Sequence, residues 1–495
     1  MTSPATTSPT RAGIRADETH PRFVGQTIHF AGIGGCGMSG LARLLQQLGA
    51  RCTGSDLVES DITRSLREDA IPVTLEQSAE SVPMDTTLVI ASAAIRPDHP
   101  EVLAAESRGL PVMTYAEALG EAQTCRTGVS IAGTHGKSTT TAMLCHTLLQ
   151  CGLDPSFIVG ATCPQIGGGS HCGTATVPGT GPYGGAPGYL IAEACEFNRS
   201  FHHHRPTIGA IGNVEEDHLD IYGTLDAVVE AFADFARLVP PADAGGHLVI
   251  AHEGAHRRTI TAGLNCRIST LGFSPAADFQ VFMDAATQRV GLLQHGLWLT
   301  QWTMVMPGEH NAMNSAMAAT LAHLMGGDWE QIGAALSSFE GLDRRMQRLG
   351  TRAVTGGDVI VYDDYGHHPT EIETTLRAIR TAEKPERIIC VFQPHQHSRT
   401  RFLLEEFAQS FASADVVIVP HIYFVRDSEI EKQRVSACDL VDRLRQRNIA
   451  AMHLYPFDAI VEQLNVICRP GDCVVIMGAG PVWQVARQFV NADAS

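Results

Sequence analysis

The stretch that most constrains this chain is Gly133-Thr134-His135-Gly136-Lys137-Ser138-Thr139, set between Val129-Ser130-Ile131-Ala132 and Ala142-Met143-Leu144-Cys145-His146-Thr147-Leu148-Leu149. A β-like run, a turn bracketed by glycines and an amphipathic helix bring backbone N–H groups and a helix N-terminus to one point, where an anion is stabilised. Lys137 adds a positive charge there, and Ser138 is placed to offer its hydroxyl to a phosphate-bound Mg2+. The outline is a cradle for a nucleoside triphosphate. The general P-loop has a glycine where this chain has Ile131, so the motif is the shorter Gly-Thr-His-Gly-Lys-Ser form. Only three lysines occur among 36 basic residues, Lys137, Lys384 and Lys432. A chain that otherwise uses arginine and keeps a lysine behind a glycine needs the compact ammonium there.

At 495 residues the chain is too long for one core, and about three domains are expected. A formal charge of −17 argues against a nucleic-acid or anionic-membrane surface, so phosphate-bearing ligands must be held locally by glycine loops, arginines and metal. The thirteen cysteines include no Cys-x-x-Cys pair, a reduced, cytosolic pattern. Residues 1–24 are rich in Thr, Ser and Pro without a signal-like apolar stretch, and are expected to be a disordered tail. No run approaches membrane-spanning length, so no membrane insertion and a cytoplasmic location are expected.

From Thr27 a β-run feeds Gly32, Gly34 and Gly37 in G-x-G-x-x-G spacing, with Gly35, Met38 and Ser39 in the same turn, and a helix follows to about Gly49. Asp56 ends a second strand about 20 residues on, where a dinucleotide fold holds a ribose. Alone, this motif says NAD, yet its glycines suit any diphosphate brought close to the backbone. Further β-runs over 87–92 and 110–113 alternate with helical stretches at 62–69 and 98–108, making the first domain α/β and ending it near Cys125. The Gly- and Pro-dense segment 163–188 is expected to be a mobile surface loop.

Two strands, 189–196 and 208–214, end in acids: Glu193 and Glu196 on the first, Glu215-Glu216-Asp217-His218 after the second. Such positions lie where parallel α/β sheets bind ligands, and oxygen ligands suit Mg2+. The triplet His202-His203-His204 is not read as a metal site, because consecutive side chains diverge. After about 340 the composition changes again. Two strand-to-loop junctions, Asp363-Asp364-Tyr365-Gly366-His367-His368-Pro369 and Gln393-Pro394-His395, are crowded with polar side chains, and strands over 416–419 and 473–477 complete a small α/β domain.

Together, Ile28 to Gly40, Gly133 to Ser138, Asn213 to Asp220, His310-Asn311 and Asp363 to Glu371 resemble the Mur ligase family of peptidoglycan synthesis over nearly the whole chain from Thr27. The resemblance implies three domains: a Rossmann-like UDP-sugar-binding domain at 25–125, a central P-loop ATPase-like domain with a mainly parallel sheet at 126–340, and a Rossmann-like α/β domain at 341–495. It implies ATP-dependent joining of L-alanine to the lactyl carboxylate of UDP-N-acetylmuramate through an acyl phosphate, with ATP and Mg2+ as cofactors, in a cytoplasmic monomer or homodimer. The Gly32 to Gly40 loop, with Asp56, would then face the sugar nucleotide rather than NAD.

Residue by residue, the resemblance implies that Gly133 to Thr139 cradle the ATP phosphates, with Lys137 and Arg345 supplying charge. Ser138 and Glu193 would hold a first Mg2+, Glu193 and His218 a second. Asn311 and Asn314 would meet the adenine and Asp364 the ribose. Tyr365 and His367 would sit near the reacting groups, His367 accepting the amine proton, and His395 and Arg399 would bind the amino acid. Three departures stand out. Glu193-Ala194-Cys195-Glu196-Phe197-Asn198 lacks two of the family's acids; Gln396 replaces an arginine expected at the amino-acid carboxylate, leaving Arg399; and Pro481 replaces an acid, with no evident consequence. The alternatives are a sister ligase that adds a recycled tripeptide to the same sugar nucleotide, and an NAD-dependent dehydrogenase, which would leave Lys137, Glu193 and His218 without a task.

Overall fold

The structure, a computed structural model, describes residues 22–425 and 427–491 and builds three sheets along the chain. In the first, strands lie in the order Val73–Thr74, Arg51–Ser55, Thr27–Ala31, Leu88–Ala91, Val112–Thr114, all parallel. Strand order reverses at the fully buried Thr27–Ala31, so a crevice opens at its carboxyl end, where the glycine loop leads into the helix Cys36–Gln47. This is the Rossmann-like arrangement expected. Of the expected tail, residues 1–21 lie outside the described residues. Residues 22–25 form a turn, and Phe23 is buried in the first core.

The second sheet has ten strands. Its centre is parallel, running Ser156–Ile158, Tyr189–Ala194, Thr127–Ala132, Ile208–Ile211, His247–Ala251, Arg267–Gly272. Thr127–Ala132 is buried at every residue, which is why its sequence reads as a continuous run rather than an alternation. The helix Lys137–Gln150 was expected to be amphipathic; instead every residue from Ser138 to Leu148 is buried. Packed against the sheet, it is also covered by the helices Glu309–Leu324 and Trp329–Ser337, so it has no solvent face to keep polar. A meander of Phe279–Asp284, Arg289–Gln294 and Leu297–Thr303, not legible in the sequence, joins the edge strand Arg267–Gly272 in parallel and is antiparallel within itself.

The segment 163–188 is not a free surface loop. Ser170–His171 pairs with Ser156–Ile158, Thr176 bridges Pro187, and Cys163, Ile166 and Val177 are buried in the central core. Its glycines serve turns, with Gly167 and Gly168 at φ 78° and 121°, which L side chains rarely adopt.

The third sheet runs Gln347–Val354, Gly357–Asp364, Cys473–Met477, Ile388–Phe392, Val416–Val419, Ala450–His453, parallel except for its first pair. Asp363 and Asp364 end one strand and Phe392 ends another two places away, so both polar junctions open on the same edge.

Candidate active site

The phosphate loop is held in a shape only glycine permits at two places, Gly133 at φ 148° and Gly136 at φ 78°. A Cβ on Gly136 would also lie 2.4 Å from Asn314 Oδ1. From the adjoining strand end, Asn213 clamps the loop: its Oδ1 accepts from His135 N at 2.7 Å and its Nδ2 donates to His135 O at 3.2 Å. Lys137 curls back over the loop, donating from Nζ to Gly133 O at 2.5 Å, Thr134 O at 3.0 Å and Glu196 Oε2 at 2.8 Å. Burial draws the Lys137 pKa down, but Glu196 and its neighbours more than offset that, and the net shift is upward. The ammonium is therefore charged and waiting on a carboxylate.

Two cavities share this loop as a wall. One, of about 560 Å³, is lined by Thr139, Asn311, Asn314, Arg345 and Asp364 among others. The other, of about 460 Å³, is lined by Ser138, Glu193, Glu196, His218, Tyr365 and His367. His135, Gly136, Lys137, Arg345 and Glu371 face both. The second cavity is where all three sheets meet, because Cys36 of the first glycine loop also lines it.

On the carboxylate side, Ser138 Oγ donates to Glu193 Oε2 at 2.9 Å, and Gly160 N donates to the other oxygen of Glu193. His218, in the left-handed region at φ 54°, lies with Glu196 and Asp217, at 3.9 and 3.6 Å from their carboxylates. Burial holds His218 below its ordinary pKa, so it is neutral and keeps a lone pair. Glu196, Asp217 and His218 offer ligand atoms all within 4.8 Å of one another. Oxygen donors and a neutral imidazole converging beside a phosphate loop suit divalent cations. The histidine triplet scatters as expected: His202 bonds Ala231 O, while His204 is buried against Ser130.

From the third sheet, Asp364 Oδ2 accepts from Met346 N at 2.7 Å, and burial raises its pKa to about 6. Arg345 lies over the Tyr365 ring, 4.9 Å from its centroid. His367 Nδ1 is 3.1 Å from Tyr365 O; with that nitrogen donating, Nε2 carries the lone pair. Burial first, then Arg399, pulls its pKa down to about 3. The His395 ring stands 5.7 Å from that of His367.

Several expected residues are placed otherwise. Arg399 does not line the second cavity; it is 8% exposed and donates to Asp217 Oδ1 at 2.9 Å across the junction of the central and C-terminal units. Gln396 and Arg399 instead flank a void of about 20 Å³. In the N-terminal loop, Asp56 turns inward, accepting from Gly34 N at 2.8 Å and Val58 N at 3.1 Å. Met38 packs in the first core, and Ser39 is buried with its hydroxyl on Cys36 O. Gly37 abuts the Tyr115 ring and Gly32 the side chain of Ser92; Gly35 alone of the loop's expected glycines faces open space. Sequence reasoning placed Glu196 and Asp217 only among the strand-end acids, without an individual role, and gave none to Cys36 or Glu371. The run of acids and the Pro369-Thr370-Glu371 ending were visible, but which acid faces Lys137 depends on strand-end geometry.

Three family profiles match the chain in succession: Mur ligase family, catalytic domain, at residues 27–124; Mur ligase middle domain at 131–322; and Mur ligase, glutamate ligase domain, at 344–480. The UDP-N-acetylmuramate--L-alanine ligase of Desulfitobacterium hafniense is 37% identical over 470 residues, spanning 94% of this chain and 99% of that protein. The protein of the same name from Lachnospira eligens is 36% identical, spanning 94% and 98%. Among solved structures, the UDP-N-acetylmuramate-alanine ligase of Thermotoga maritima superposes with a TM-score of 0.74 at 25% identity, covering 94% of this chain and 98% of that one. A murein peptide ligase from Psychrobacter arcticus gives a TM-score of 0.69 at 24% identity, covering 95% and 100%, a likeness of fold.

Proposed function

The chain belongs to the Mur ligase family, and from that premise we propose that its two cavities divide one reaction, ATP entering the larger and the two substrates to be joined meeting in the other. The enzyme is an ATP-dependent ligase that joins L-alanine to the lactyl carboxylate of UDP-N-acetylmuramate, in peptidoglycan precursor synthesis. The observation that carries this division is the shared wall: Lys137, His135 and Arg345 face both spaces.

In the first step the lactyl carboxylate attacks the γ-phosphorus, the bond to the ADP oxygen breaks, and an acyl phosphate forms. Phosphoryl transfer of this kind needs positioning and charge neutralisation more than covalent help. Lys137 exchanges Glu196 for the phosphate oxygens, and Arg345, held over Tyr365, meets the charge from the other side. Asn311, Asn314 and Asp364 hold adenine and ribose; the raised Asp364 pKa leaves its carboxylate ionised at neutral pH, able to accept from ribose hydroxyls. Ser138 and Glu193 would hold one Mg2+, with His218 on a second; when bound, such ions neutralise phosphate charge.

In the second step the neutral alanine amine attacks the acyl carbon, the carbon–oxygen bond to phosphate breaks, and the departing phosphate carries off the amine proton. With a conjugate acid near 3, His367 is a poor base and a good acceptor of one hydrogen bond, so it orients the amine through Nε2. His395 lies beside it, and the buried Arg399 acts on the amino acid through Asp217 and the fit of the two units rather than by open contact. The glycine loop around Gly35 takes the sugar-nucleotide diphosphate. The reading keeps the enzyme cytoplasmic, a monomer or homodimer. The test is phosphate release from ATP, expected only when both alanine and UDP-N-acetylmuramate are supplied. Release that depends on alanine but not on the sugar nucleotide would overturn it.

A further inference from the structure

Glu371 belongs to a motif the sequence singled out, yet nothing above uses it. It is the third helical residue of Pro369–Glu383 and completes a capping box there, Oε2 accepting from His367 N at 2.9 Å and His368 N at 3.2 Å. Capping accounts for one oxygen. The other, Oε1, faces out of its own domain and sits 3.2 Å from His135 Nδ1 on the phosphate loop, with Arg345 Nη1 at 3.8 Å. His135 is not free to follow a moving partner, since Asn213 fixes its backbone on both sides. Around this contact, Thr370 Oγ1 donates to Glu215 Oε2 at 2.7 Å, His368 Nε2 lies 3.1 Å from Glu216 O, and the rings of His135 and His368 are 4.7 Å apart.

We propose that His135 and Glu371 are a positioning pair that sets the Tyr365 to His367 loop in register with the phosphate loop, one carboxylate holding the backbone of His367 on one oxygen and the ATP-binding loop on the other. The inference rests on the ligase reading above and deepens it. Neither side chain is given a contact with a reacting atom, His135 belonging to the phosphate loop by its backbone. Their work is to fix the distance between the place where the acyl phosphate forms and the place where the amine is oriented, and an error of about 1 Å there is costly. A charge-assisted hydrogen bond between two rigid units is suited to that, because it is short, directional and strong.

The test is a double-mutant cycle with His135→Ala, Glu371→Ala, their combination and His135→Gln, read by steady-state kinetics against all three substrates. Each single change is expected to lower kcat about 10- to 100-fold, with the KM for UDP-N-acetylmuramate within about twofold, since that substrate docks on the N-terminal unit. The double variant should be no worse than the poorer single, and His135→Gln, whose amide N–H can donate to Glu371, should recover part of the rate. Losses that multiply in the double variant, or a sugar-nucleotide KM that rises as far as kcat falls, would overturn the pair. A second readout needs no turnover and uses His135→Ala, which retains the helix cap. Amide hydrogen exchange at His367 and His368 should quicken about tenfold once Glu371 loses its outer partner. Unchanged exchange overturns the pair even if ligation proceeds, whereas wild-type protein that fails to ligate while exchange responds as expected would sink the ligase reading alone.

Discussion

The two glycine loops look alike in sequence and are different objects in space. Around Gly32 to Gly40, the glycines mostly make room for the protein itself: Asp56 packs on Gly34, Tyr115 on Gly37, and Ser170 of the central unit on Gly40. Around Gly133 to Gly136, the glycines are set by backbone shape, both at positive φ, and the loop faces two cavities. A glycine spacing therefore reports close approach without saying of what. The second loop also carries a lysine paired with a strand-end acid, whereas the first has one open position, Gly35.

The largest expected effect breaks the second loop electrostatically. Lys137→Ala should lower the ligation rate by about 10²- to 10³-fold or more, because it removes charge from the transition state. It also leaves Glu196 buried without its cation, a loss of stability of about 3–5 kcal/mol for pairs of this kind. Adding Glu196→Gln to Lys137→Ala should restore much of the melting temperature and none of the rate. Recovery of rate as well would mean that the lysine serves the fold and not the phosphate.

A milder change tests backbone shape. Gly136→Ala forces an L side chain into the left-handed region, at about 1–2 kcal/mol, and drives its Cβ into Asn314. The KM for ATP should rise about tenfold or more, with that for UDP-N-acetylmuramate nearly unchanged. Gly35→Ala, at φ −76° with nothing near, should do the reverse and only several-fold. If both variants move the same KM, the division of labour between the loops is wrong.

The smallest effect concerns protons. Burial lowers the His135 pKa, but hydrogen bonds with Glu215 and Glu371 outweigh it and carry the value up to about 9. The folded value lies above the ordinary 6.5, so the stabilisation is fully present below about pH 6.5 and is lost as pH rises through about 9. Melting temperatures of wild type and His135→Gln should converge between pH 6.5 and 9.5, the wild type losing a few degrees more. Parallel curves would show that the phosphate loop is joined to the C-terminal unit without that charge.

Much of the candidate site was legible because its residues sit at strand ends or in the first turn of a helix, where local pattern and backbone chemistry coincide. Lys137, Glu193, His218, Asn311, Asp364 and His367 all line the two cavities. What escaped lacked a local signal. The edge strand Gln347–Val354 is half exposed, broken by Gly350, and carries no apolar run. The segment 163–188 reads as a loop since glycine and proline mark turns, yet Gln165 ties it to the inter-unit linker, donating to Ser338 O at 2.8 Å and accepting from Glu340 N at 2.6 Å. Arg399 reads as an open ligand for a carboxylate, and Asp217, 182 residues earlier, already occupies it.

The sequence by itself determined the elements that carry the chemistry: a phosphate loop between a buried strand and a helix, acids after two parallel strands, and the family to which those patterns belong. These follow from short-range rules, in which residue type, spacing and backbone conformation act within one turn or one strand. Only the tertiary structure decided the partners: Glu196 for Lys137, Asp217 for Arg399, Asp56 for its own loop, Glu371 for His135. A carboxylate and a cation far apart in sequence attract regardless of where they were written, and which pairs form depends on which burial leaves within about 4 Å.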